Sequence, residues 1–305
     1  METALLFPGQ GSQKPGMLHA LVDDPAVHET LDEISDVLGS DVRLLDSPEA
    51  LQSTVAVQIA LVGAGVATAR ALQRNGLNCS AVAGMSAGAF SAAVIAESIS
   101  LSNAVRLVRS RAEQMEHLYP TGYGLAAIVG LNERQVSDLV ASVHSDQFPV
   151  FVGNINAPRQ IVIAGSVEGM QYVLAKACAH GARKADLLDV SVPSHCSLLD
   201  CVADSLRTQL ASMKIERPKV TYIANVNARA VYTADGVAKD LADSIAHGVR
   251  WHDATTVAQE LGCDLFLELP PGHALTDLAK ENITGVSTYA VSGELFQFVL
   301  KRVRT

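Results

Sequence analysis

Residues 84–88 read Gly-Met-Ser-Ala-Gly, between a short apolar segment, Ser80–Ala83, and a small-residue stretch with helical character, Ala87–Ala96. This G-x-S-x-G pattern constrains the fold more than any other feature. It demands a strand that turns sharply into a helix, with small neighbours around a serine held in strained backbone geometry. The composition suits the α/β protein that such a turn implies. Aromatic residues make up 5% of the chain, and Ala, Val, Leu and Gly dominate, so helices can pack closely on a sheet. With 49% hydrophobic and 18% charged residues, the chain has ample material for a core and is not of disordered type.

Hydropathy patterning extends this reading. Ala4–Phe7 is a strand entering the tight loop Pro8-Gly9-Gln10-Gly11-Ser12, and Ser53–Leu72 is helical. Ser102–His117 is a helix with arginines on one face. The middle of the chain then alternates strand (Leu125–Val129), helix (Glu133–Val143, with Asn132 near its start), strand (Val150–Val152), turn, strand (Gln160–Ala164), helix (Val167–His180) and strand (Lys184–Val190). The order βαββαβ fits a ferredoxin-like insert at 124–191, which leaves 1–123 and 192–305 as the core. The core resumes with a helix (Leu198–Met213), a strand (Val220–Asn225), helices at Ala234–His247 and Thr255–Leu261, and a strand (Leu265–Leu269).

Ser86 is the candidate nucleophile. The helix that follows it points free N–H groups and a partial positive charge at the bend, which suits an oxyanion. A serine needs a base, and the chain has nine histidines. His28, His117, His144 and His180 sit beside charged or helical residues and read as surface groups. His195 lies in the loop Val192-Pro193-Ser194-His195-Cys196, where proline restrains the backbone, and it follows the serine in order. No loop carboxylate stands in an orienting position, so a backbone carbonyl is the expected third member. The loop Phe7–Gln13 lacks both the P-loop and the dinucleotide glycine spacing. It can instead bring a backbone N–H to a reacting carbonyl and, with the N–H of Ala87, form a two-donor oxyanion hole. Arg111 is either a solvated helix arginine or a fork for a substrate carboxylate.

Several classes are disfavoured. The net charge of −9 argues against nucleic acid. The five cysteines contain no C-x-x-C pair, so neither a disulfide framework nor a metal site is expected, and a cytoplasmic location fits. Met1–Gly9 does not read as a signal peptide. The apolar runs Val55–Ala69 and Ala81–Ala96 carry polar residues and read as buried segments, not membrane spans.

Taken together, these features resemble the malonyl-CoA:acyl carrier protein transacylases over nearly the whole chain. The matching segments are FPGQGSQ (7–13), GMSAGA (84–89), RSRAEQM (109–115), NINAPRQIVIAG (154–165), SVPSHC (191–196) and VRW (249–251). The resemblance implies a hydrolase-like α/β core with a ferredoxin-like insert. It makes Ser86 the nucleophile and His195 the base, with the backbone N–H groups of Gln10 and Ala87 as the oxyanion hole. It places Arg111 on the malonyl carboxylate, Met115 and Asn156 at the substrate, and the backbone carbonyl of Arg250 on the histidine. No cofactor is implied. The substrate is the CoA thioester malonyl-CoA, and the partner is an acyl carrier protein with a phosphopantetheine-type arm. Met85 and Ala89 replace the histidine and acidic residue usual in the family. With AHGVRWHD at 246–253, they look more like the epsilon subunit of biotin-independent malonate decarboxylase, and other subunits of that enzyme would then be partners. The alternatives are a transacylase of fatty acid or polyketide synthesis, a serine esterase or thioesterase, and a non-catalytic carrier-binding subunit.

Overall fold

The structure is a computed structural model and describes residues 2–303, with the backbone alone at Val303. The first stretch runs β1 (Glu2–Phe7), α1 (Pro25–Leu38), α2 (Thr54–Arg74), β2 (Ala81–Gly84), α3 (Gly88–Ile95) and α4 (Leu101–Leu118). A second run follows: β3 (Tyr123–Val129), α5 (Glu133–Ala141), β4 (Val150–Ala157), β5 (Gln160–Ser166), α6 (Val167–Ala179) and β6 (Lys184–Leu187). The remainder is α7 (Asp200–Ala211), β7 (Thr221–Ile223), β8 (Ala230–Val231), α8 (Ala234–Asp243), α9 (Trp251–Glu260), β9 (Cys263–Glu268), α10 (Ala274–Asn282), β10 (Ser287–Ala290) and α11 (Phe296–Val303).

These elements make an α/β protein with two sheets. The larger has strand order β10-β9-β1-β2-β7-β8, parallel except where β8 turns back along β7. Its strands are apolar on both faces because helices cover both. Leu5 and Phe7 of β1 enter one cluster, with α1, α2 and α4, while Ala4 and Leu6 enter another, with α9 and α10. The smaller sheet has order β4-β5-β3-β6 and is antiparallel throughout. A third cluster of apolar residues lies between it and α5 and α6. Asn132, expected near the start of α5, caps it in a reciprocal capping box with Gln135.

Three expectations need correction. The turn after Val152 does not form there. The strand continues to Ala157 through register shifts, and its outer edge is taken up by the larger unit: Ile155 N–H donates to Val249 O at 2.8 Å and Val249 N–H to Gly153 O at 2.9 Å. The helix expected to reach His247 stops at Asp243, for a reason that concerns the site. The arginines of α4 do not share one face, since Arg106 and Arg109 are exposed while Arg111 is buried. The helix α2 has the length and composition of a membrane span, yet 89% of its most apolar stretch is buried inside the protein.

Candidate active site

β2 ends at Gly84 and α3 begins at Gly88, so the bend between them spans three residues. Ser86 has φ +55°, in the left-handed region that a non-glycine residue occupies at a cost of roughly 1–3 kcal/mol. The surroundings hold it there. A Cβ on Gly88 would lie 2.2 Å from the Phe7 carbonyl oxygen, and one on Gly9 would lie 2.7 Å from that of Met85. The loop after β1 and the serine turn therefore interlock, and both approaches require glycine. Among the described residues neither the N–H of Gln10 nor that of Ala87 has a protein acceptor. The N–H of Ser86 is occupied, donating to Asn225 Oδ1 at 3.0 Å.

Arg111 sits next to the serine. The residue is only 1% exposed, and no carboxylate pairs with it among the described residues. Nη2 donates to Ser86 Oγ at 3.0 Å and Nη1 to Gln58 Oε1 at 2.5 Å, while Nε has no partner. Burial pushes the guanidinium down to about 9, which leaves it protonated at neutral pH. Gln58, from the buried face of α2, continues the chain of contacts. Its Nε2 donates to Gln10 Oε1 at 3.4 Å and to Met115 Sδ at 3.7 Å. Met115 lies one turn beyond Arg111 on α4 and is wholly buried.

His195 also has a left-handed backbone, with φ +69°, and is 3% exposed. Its Nδ1 lies 2.5 Å from the carbonyl oxygen of Ser244, and its own N–H donates to Ile245 O at 2.7 Å. A carbonyl only accepts, so Nδ1 carries the proton and Nε2 keeps its lone pair. Burial lowers the ring to about 4, and the Arg111 charge adds to the lowering; backbone acceptors at Ser244 and His247 oppose it. The imidazole is thus a neutral base at pH 7. These contacts explain why α8 is short: the chain bends after Asp243, and the carbonyls at 244 and 245 turn to His195. Carbonyls freed at a helix C-terminus carry partial negative charge, which favours an imidazolium when one forms.

The expected role of Arg250 is therefore corrected. Its carbonyl accepts from Ala254 N–H and opens α9, so it is already engaged within that helix, and Ser244 supplies the acceptor for His195. The Arg250 guanidinium joins α9 to α5 instead, with bonds to Asp253 at 2.5 Å and Glu133 at 3.2 Å. Asn156 is not joined to Ser86 or His195 among the described residues; its carbonyl accepts from Asn282 on α10 at 2.9 Å. Ser86 Oγ is bonded to Arg111 and, among the described residues, not to His195. Cys196 is buried, which pushes its thiol up to about 12, so it is no rival nucleophile.

Sequence reasoning missed Gln58, Asn225, Asp240 and Ser244. Two left a readable signal. Gln58 is a lone amide within an apolar helix, and Asp240 is a carboxylate among Val237, Leu241 and Ala242 on a buried helix face. A polar side chain on such a face needs a partner. Ser244 acts through its backbone, which no side-chain pattern reveals.

A serine on a strained strand-to-helix bend, a buried neutral histidine and two free backbone donors define a serine-based acyl-transferring enzyme. Comparison with known proteins agrees. The acyl transferase domain family matches residues 4–297. The malonyl CoA-acyl carrier protein transacylase of Escherichia coli strain K12 is 36% identical over 295 residues, which is 95% of each chain. That of Bacillus subtilis strain 168 is 32% identical over 294 residues, covering 95% of this chain and 93% of the relative. Among solved structures, the acyl-carrier-protein S-malonyltransferase of Burkholderia pseudomallei superposes with a TM-score of 0.93 at 36% identity, covering 99% and 100% of the two chains. A malonyl-transacylase solved with its type II polyketide acyl carrier protein superposes with a TM-score of 0.94 at 35% identity, with the same coverage. The chain belongs to the acyl transferase family and is an acyltransferase, which sets aside the non-catalytic alternative.

Proposed function

We propose that this enzyme moves the malonyl group of malonyl-CoA to the thiol of an acyl carrier protein through an ester on Ser86. The observation that carries this reading is Arg111: a buried cation beside the candidate nucleophile with no carboxylate partner among the described residues. A charge buried without a partner is costly, and a substrate carboxylate removes that cost. Nη1 is held by Gln58 and Nη2 gives one of its two N–H groups to Ser86 Oγ, so Nε with the second N–H of Nη2 can make two parallel bonds to the free end of malonyl.

The reaction runs in two balanced halves. His195 Nε2 takes the Ser86 proton as Oγ attacks the thioester carbonyl, and the oxyanion rests on the N–H groups of Gln10 and Ala87. The C–S bond breaks, and CoA leaves with the proton from His195. The carrier thiol then gives its proton to His195 and attacks the ester, and Ser86 recovers the proton as its C–O bond breaks. The site supplies the base and the donors from its own residues, and the reading includes no cofactor.

The pathway we favour is fatty acid or polyketide synthesis, with its acyl carrier protein as partner. The relatives named above are transacylases, and one was solved with a polyketide carrier. The malonate decarboxylase reading rested on Met85, Ala89 and the AHGVRWHD stretch, and none of the relatives named above is such a subunit. Met85 packs against an apolar cluster and Ala89 is wholly buried, so both substitutions suit local packing and lose their weight as pathway markers. We read the smaller sheet with α5 and α6 as the ferredoxin-like insert, and the larger sheet as the hydrolase-like core.

Intact-protein mass spectrometry tests the chemistry. Malonyl-CoA should leave a malonyl adduct on the wild type and none on Ser86→Ala, and acetyl-CoA a weaker one. An adduct that persists in Ser86→Ala would sink the assignment. Offering the adduct to a fatty-acid-type carrier and to one bearing a dephospho-CoA-derived arm separates the pathways.

A further inference from the structure

We infer that Asp240 and Asn225 are positioning residues that lock the serine turn and decide which of its N–H groups remain free for the oxyanion. The inference rests on Ser86 being the nucleophile. Asn225 lies just past β7, which pairs with β2, and so its side chain arrives beside the bend. Its Oδ1 accepts the Ser86 N–H at 3.0 Å. A carboxamide can present either its oxygen or its nitrogen, and the wrong choice would set two donors against each other. Asp240 makes the choice. Its Oδ2 accepts from Asn225 Nδ2 at 3.3 Å, and with the amide nitrogen engaged there Oδ1 faces Ser86.

Asp240 is only 4% exposed, and no lysine or arginine pairs with it among the described residues. Three further donors hold it: Tyr222 OH at 2.8 Å, Asn225 N–H at 2.8 Å and Val226 N–H at 3.2 Å. Burial raises its carboxyl, and these bonds work against the rise. A carboxylate buried without a cation is a poor source of stability. Here it turns an amide toward the one peptide bond whose geometry the chemistry needs.

Two consequences follow for the reaction. The brace holds Ser86 at φ +55°, which aims Oγ. It also engages the Ser86 N–H, so the donors left for the oxyanion are those of Gln10 and Ala87. The same helix that carries Asp240 ends at Ser244, whose carbonyl orients His195. Nucleophile turn and base are thereby registered on α8.

The test compares wild type, Asn225→Ala, Asp240→Asn, and the double variant Asn225→Asp with Asp240→Asn. Rapid-quench mass spectrometry would give the rate of Ser86 malonylation from malonyl-CoA, and KM and Tm would be measured alongside. Each single variant should acylate roughly 10- to 100-fold more slowly, with KM within about twofold, as expected for misplaced reacting groups. The double swap keeps the bonds from Ser86 N–H and the two other backbone N–H groups and reverses the bond between the two side chains and the one to Tyr222. The new carboxylate accepts from Ser86 N–H, and the new amide donates to it and to the Tyr222 oxygen while still accepting both backbone N–H groups. It should therefore recover about tenfold or more over Asp240→Asn. A merely structural pair would lower Tm and leave the rate of the folded fraction unchanged. Folded single variants acylating at the wild-type rate, or a double variant no faster than Asp240→Asn, would overturn the inference; the latter comparison decides if Asn225→Ala does not fold. Should wild type form no malonyl adduct, the malonyl reading fails instead, and a serine-directed fluorophosphonate would test the brace on the same four proteins.

Discussion

Arg111 and His195 lie close enough for the charge of one to lower the pKa of the other, and that coupling is measurable. His195 is held at about 4 against an ordinary value of 6.5, so the fold favours its neutral form. Between those two values the unfolded chain binds more protons than the folded one. The histidine's contribution to stability is therefore largest above pH 6.5 and declines as pH falls toward about 4. The acid limb of kcat/KM, which reports the free enzyme, should lie well below pH 6. Arg111→Ala removes the cation and should move that limb upward, though only part of the way, because burial is the larger cause. A wild-type limb at the ordinary histidine value would refute the depressed pKa. The same variant tests selectivity. Losing a charge-assisted pair costs about 1.5–3 kcal/mol, roughly 10- to 100-fold in rate. Malonyl transfer should fall by that factor and acetyl transfer far less; equal losses would remove the carboxylate assignment.

At the level of elements, the interlock of β1, the loop after it and α3 explains why the bend tolerates so little. Gly88→Ala would drive a methyl group into the backbone of Phe7 and Pro8. Thermal melting should show destabilisation of about 1–3 kcal/mol or more, with loss of acylation. Gly63 in α2 is the contrast. A Cβ there meets side chains at 3.4 Å and beyond, which is ordinary contact. Gly63→Ala should be neutral or stabilising by up to about 1 kcal/mol through helix propensity. Similar losses at both positions would mean that helix packing in general, and not the bend, sets the constraint. Much at this scale was legible. The apolar run of β2 ending in glycine and Asn132 at the start of α5 are local signals that the fold obeys. The short strands β8 and β10 and the helices α1, α10 and α11 were not read. Two-residue and four-residue strands exist by pairing with neighbours, which local pattern does not encode.

For the whole molecule, the two sheet units meet along β4, which bonds to the segment before α9, and through Arg250 reaching Glu133. Both side chains of that ion pair are more than a third exposed, so solvent screens it and its worth is about 0–1 kcal/mol. Arg250→Ala should lower stability by no more than that in urea melts and change kcat less than about twofold. A large loss of kcat would return Arg250 to the reacting centre.

The sequence alone singled out the candidate side chains at the site. The motif around Ser86 is a local demand on backbone geometry, and the order of serine, histidine and arginine along the chain survives without any knowledge of contacts. What only the tertiary structure decided is how those groups are held. Arg111 looked as much like a surface residue as a ligand, and only the tertiary structure shows it buried with no counter-charge among the described residues. The partner of His195 passed from Arg250 to Ser244 because every residue owns a carbonyl, and only helix ends show which carbonyls are free. Asn225 meets Ser86 from 139 residues away, with Asp240 behind it, and such a meeting is a property of packed layers, not of any stretch of chain.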